Sequence, residues 1–93
     1  MCTYQTETLK VTGSAKTAGG WTSMTDATVY FDHPVHYGAG HALLIDVLNP
    51  SQGPSARAAL ELSPESARAL ANVILHTLDA VPSELLSDTI TIS

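Results

Sequence analysis

The sequence predicts an α+β fold: an antiparallel β-sheet of about four strands with one long C-terminal helix packed on one face. Three observations predict it. Residues 27 to 48, ATVYFDHPVHYGAGHALLIDVL, hold two apolar, β-branched runs separated by a Gly- and Pro-containing loop. A Thr-rich run precedes them and an alternating run follows, which adds a strand on either side. From Ser63 onward the apolar period changes from two residues to 3.6.

In chain order, residues 3 to 11, TYQTETLKV, form the first strand. Leu9 and Val11 set its buried parity as odd, which turns Gln5 and Glu7 to the same face. Residues 13 to 25, GSAKTAGGWTSMT, read as a loop by their Gly, Ser and Thr content. Lys16 lies before Gly19-Gly20, the wrong order for a phosphate-cradling loop. Trp21, the only tryptophan, is expected to anchor this loop by closing over the core.

Ala27 to His33 and His41 to Leu48 form the central hairpin, joined by Pro34 to Gly40. If His33 pairs with His41, then Phe31 faces Leu43, Val29 faces Ile45 and Ala27 faces Val47, all on one odd-numbered face. The even face carries Ala42, Leu44 and Leu48, which suggests cover by a partner subunit. Asp46 interrupts that face and should cap a loop or pair with a cation such as Arg57. Asn49 to Ser55 is a turn cluster, and Ala56 to Leu62 is the fourth strand. Ser63 then caps a helix whose first residue is Pro64 and whose first turn holds Glu65. Ala67, Leu70, Ala71, Ile74 and Leu78 line one stripe of that helix, and His76 falls opposite. Pro82 ends it. The tail, 81–93, closes on an alternating TITIS that suits an edge strand or a dimer arm. Residues 1–93 make a single domain.

Composition narrows the function. A formal net charge of −5, with four scattered Lys+Arg, speaks against nucleic acid and anionic membranes. No apolar run reaches the ~20 residues of a membrane span. The first ten residues lack the pattern of a signal peptide, and the single Cys2 cannot close an intrachain disulfide. The expectation is a cytoplasmic protein. A core this small suggests a homo-oligomer, most simply a dimer.

Several blocks carry a resemblance: the opening Met1-Cys2-Thr3-Tyr4, GSAK and Gly-Gly-Trp within 13–21, VYFDHPVH at 29–36 and LSPESARAL at 62–70. Together they resemble a family of small actinobacterial proteins with a domain of unknown function. The resemblance covers most of the chain, fits a bacterial cytoplasmic protein and implies no reaction.

The chemistry on offer is imidazole. His33, His36 and His41 have the spacing H-x2-H-x4-H, and the hairpin register sets His33 opposite His41. Cβ atoms across such a rung are ~4.5–5.5 Å apart, so both rings can reach one ion. His36 could return from the loop, Glu7 could add a carboxylate from the first strand, and Cys2 a thiolate. This donor set suits a divalent transition metal, Zn, Fe, Ni or Cu, with an open position for water or a small-molecule ligand. Without a metal, His36 and Glu7 could serve as a catalytic acid–base pair. The alternative is a non-catalytic homodimeric binding module, dimerising through the even face and tail, in which the histidines only close the end of the sheet.

Overall fold

Four antiparallel strands run in the order β1-β2-β3-β4, so each strand pairs with its neighbour in sequence. The computed structural model describes residues 5–87. β1 spans Gln5–Thr17, β2 Gly20–Asp32, β3 Ala42–Leu48 and β4 Arg57–Leu62; helix α1 spans Pro64–Ala80 and a short α2 Ser83–Leu86. The expected α+β class is the observed one.

The central register is the predicted one. Ala27 pairs with Val47, Val29 with Ile45 and Phe31 with Leu43. Apolar side chains on one side of both strands fix this phase, because a slip of one residue would turn all of them to the other face. β4 continues it, with Leu60 beside Ile45 and Leu62 beside Leu43. β1 adds Leu9 beside Ala27 and Glu7 beside Val29.

The segment 13–25 is not a loop. β1 and β2 run on as a two-stranded ribbon, pairing Gly13 with Met24 and Thr17 with Gly20, after a register shift between Lys10 and Gly13. Ser14 pairs with Ser23 and Ala15 with Thr22 across the ladder, and Gly20 takes a φ of 105° at the turn, where a side chain would be strained. Six residues of β2, Gly20 to Thr25, extend past the last β2–β3 rung at Asp26–Leu48. Trp21 sits near the tip of this ribbon and is 72% exposed, so it does not close over the core. The ribbon is tied back at its base. There Asn49 donates from Nδ2 to the Ser23 carbonyl (3.0 Å) and accepts at Oδ1 from the Ser51 amide and hydroxyl.

Ser63 caps α1 as expected, its Oγ accepting from the Ser66 amide at 3.1 Å. The helix runs two residues past Leu78, to Ala80. Its apolar stripe looks toward the odd face across an open cleft of about 550 Å³, with Val29, Phe31, Leu43 and Ile45 on the sheet side and Ala67, Leu70, Ala71 and Ile74 on the helix side. No residue of α1 is buried. The buried apolar residues among those described are Met24, Ala27, Ala42, Leu44 and Ala56, three of them alanines. The Cα radius of gyration is 15.1 Å, against about 12 Å for a compact chain of this length. The helix thus lies over one face without sealing it. The C-terminal residues 88–93, expected as an edge strand or arm, lie outside the described residues, as does Cys2; Leu85 and Leu86 belong to α2.

Candidate functional site

The mouth of the β2–β3 hairpin brings two of the predicted histidines together. Asp32–Ala42 is the last rung, and His33 and His41 follow it directly. Their rings meet at a centroid separation of 4.4 Å, tilted by 33°. Phe31 also stacks on His41, at 5.6 Å with the ring planes 8° apart. Phe31, His41 and His33 continue the odd face as a short aromatic cluster.

Hydrogen bonding orients the outer ring. His33 Nδ1 lies 2.6 Å from the Gly40 carbonyl oxygen. A carbonyl only accepts, so Nδ1 carries the proton in this contact, and in the neutral ring Nε2 keeps the lone pair. The His33 amide also donates to Asp32 Oδ1 at 2.7 Å, which fixes the backbone at the point where the strand turns into the loop.

The loop itself is held by a residue that sequence reasoning passed over. Glu61, on β4, accepts from three successive amides: Val35 to Oε2 at 2.8 Å, and His36 and Tyr37 to Oε1 at 2.9 and 2.7 Å. These amides, Val35 first, hold the Glu61 carboxyl below its ordinary value of 4.5 against a smaller desolvation effect. The His36 imidazole adds a looser contact, Nδ1 to Oε2 at 3.8 Å. Glu61 pairs with Leu44 on β3, so the loop returns over the even face, where Ala42 and Leu44 are buried. The only advance signal was an acidic residue on the polar side of a strand, and that pattern usually marks a solvated edge.

The even face also carries a linked polar set. Arg57 donates to Asp46 Oδ2 at 2.9 Å, as the sequence suggested, and Tyr30 donates to the same oxygen at 3.2 Å. Partial burial, then the nearby Asp46, pushes the Tyr30 hydroxyl above 10.0, so it stays protonated at neutral pH. The hydrogen bond to Asp46 raises the Arg57 guanidinium above its ordinary value. A smaller cleft of about 380 Å³ opens beside Pro50, Pro54 and Arg57, but Arg57 is already engaged by Asp46.

The remaining predicted donors are placed elsewhere. Glu7 lies on the odd face, as expected, yet it pairs with Val29, four residues short of His33; at ~3.3 Å per residue that leaves ~13 Å along the strand. Its carboxylate accepts from Gln5 Nε2 at 2.6 Å. The His36 side chain is 88% exposed and turned to Glu61. Among the described residues, no three or more His, Cys, Asp or Glu side chains converge as a metal-holding group. What the fold assembles is therefore a pair of imidazoles, with the third histidine on the loop and the predicted carboxylate one end of a strand away.

The chain belongs to a family of unknown function, DUF6295, whose model matches residues 1–87. No curated protein and no solved structure matches it. Among the described residues, no helix is long and apolar enough to cross a membrane.

Proposed function

We propose that this member of the family works as a homodimer, a small binding module completed by a second copy. The observation that carries this reading is α1: a 17-residue helix with a continuous apolar stripe and no buried residue. Leu70, Ile74, Leu75 and Leu78 remain 39–61% exposed. An amphipathic helix gains its stability from burying that stripe, because intrinsic propensity alone leaves a helix of this length marginal.

Surface area supports the reading. The chain exposes 7021 Å², while a compact monomer of 9.8 kDa exposes about 5,200 Å². The excess, roughly 1,800 Å² per chain, is on the scale of an obligate dimer interface. The exposed odd-face side of α1 contributes to it, as does the β1–β2 ribbon, while the loop and the Tyr30–Asp46–Arg57 set already occupy the even face. The working setting is a reducing cytoplasm, with Cys2 as a free thiol. Thermal unfolding tests the dimer: a Tm that climbs with chain concentration is expected, because dissociation accompanies unfolding. A Tm independent of concentration over a hundredfold range of dilution would contradict it.

The imidazole pair favours a second reading of the same module, in which it holds a divalent transition metal (zinc, iron, nickel or copper). The supporting observation is that His33 and His41 face each other, with His33 Nδ1 bonded to a backbone carbonyl. Such outer bonding of a ligating histidine fixes its tautomer and points the other nitrogen at the ion. Cys2 or His36 would have to supply further donors, or water would, and the open position would bind a small oxygen-bearing molecule. Elemental analysis of untagged protein should find about one metal per chain in the range of such sites, lost in His33→Ala. Metal-free protein whose Tm ignores added zinc would end this second reading and leave the dimer untouched.

A further inference from the structure

Resting on the dimer reading, we propose how the two copies meet. Their α1 helices lie antiparallel across a two-fold axis at Ile74, the apolar side chains of each closing the open side of the other copy's cleft, with Arg68 of one copy facing Asp79 of the other.

A two-fold interface needs a patch that complements itself: where residue i meets j, j must also meet i. The α1 stripe has that property. Leu70 and Leu78 lie four residues on either side of Ile74. In an antiparallel pair centred on Ile74, each Leu70 meets the other copy's Leu78, and the two Ile74 side chains meet on the axis. Leu70, Ile74 and Leu78 are 39%, 51% and 48% exposed. The cleft that receives them offers Phe31 and Ile45 from the sheet and about 550 Å³ of room.

Charge fixes the direction. At 100° per residue, Arg68 and Asp79 fall about 20° apart on one edge of the stripe. The opposite edge carries Ser66, Val73 and Thr77 and no charge. In the antiparallel arrangement like edges lie side by side, and position 68 falls opposite position 80, one residue from Asp79. Arg68 and Asp79 then pair twice, once on each side of the axis. A parallel pair would set the Arg68 edge against the uncharged one and leave both cations without a counter-charge. The helix is ~25 Å long, and this register keeps residues 68–80 of its 17 residues side by side.

Cysteine cross-linking tests the arrangement. In a Cys2→Ser background, Ile74→Cys should become a covalent dimer within minutes of mild oxidation at micromolar concentration. His76→Cys, on the far side of the helix, should stay monomeric on a denaturing gel. Arg68→Asp should weaken the dimer roughly fivefold or more, two surface ion pairs being lost together, and Arg68→Asp with Asp79→Arg should restore it. A dimeric wild-type chain with no cross-link at 74 and no recovery in the double variant overturns this arrangement while leaving the dimer reading standing. A wild-type chain that sediments as a monomer at the same concentrations overturns both.

Discussion

On the even face of the sheet, Tyr30 and Arg57 converge on Asp46, and Glu61 gathers three amides of the hairpin loop. On the odd face, Val29, Phe31, Leu43 and Ile45 look across an open cleft at a helix that buries none of its residues. The even face satisfies itself with directional bonds made within one chain. The odd face presents non-directional apolar surface, whose favourable term is realised only when something displaces the water. The polar cluster at the hairpin mouth attracts attention as a site, yet the strongest physical demand in the molecule comes from plain leucines and isoleucine on α1.

Breaking the odd face should therefore have the largest effect. Ile74→Asp places a charge where burial is expected, and losing that burial costs about 2–3 kcal/mol in each copy before the desolvation of the carboxylate is added. Size-exclusion chromatography with light scattering should show a single chain, and the Tm should fall with it.

Glu61→Gln should come next. One carboxylate serves three donors, and an amide turns an N–H group toward at least one of them. The hairpin loop should lose protection in amide hydrogen exchange at Val35, His36 and Tyr37. Because the folded Glu61 carboxyl lies below its ordinary value of 4.5, its stabilisation is fully present above that pH and lost as pH falls through the lower folded value. The stability gap between wild type and Glu61→Gln should thus be wide at pH 7 and shrink as pH drops below 4.5. A gap that widens on acidification would contradict this role.

Smaller still is Tyr30→Phe, which removes one hydrogen bond to an oxygen that Arg57 also serves; urea unfolding should register a loss of about 0.5–1 kcal/mol. His76→Ala, on the exposed side of α1, should change neither mass nor Tm, and any loss of dimer in that variant would show that the interface uses the other side of the helix.

These contrasts also explain what the sequence could reveal. The central register was legible because four odd positions on each strand, if paired, make apolar rungs capped by two histidines, and a one-residue slip destroys the pattern. The start of α1 was legible because Ser63-Pro64-Glu65 combines three end signals within three residues. The β1–β2 ribbon was not. Gly13 to Thr25 has a loop's composition, and its order comes from cross-strand pairing that no local propensity reports. Misjudging it also misplaced Trp21, which the ribbon carries to its exposed tip. Glu61 was missed for a related reason: its partners are backbone amides 24 to 26 residues away, and an amide leaves no residue type to recognise. At the hairpin mouth, the meeting of His33 with His41 followed from the register, whereas Glu7 was assigned the right face without its position along the strand being fixed.

Native mass spectrometry of the untagged chain at low micromolar concentration tests the central claim most directly. The account predicts a species of twice 9.8 kDa, reduced to single chains by Ile74→Asp. A wild-type spectrum holding only single chains, with α1 still helical by circular dichroism, would contradict it.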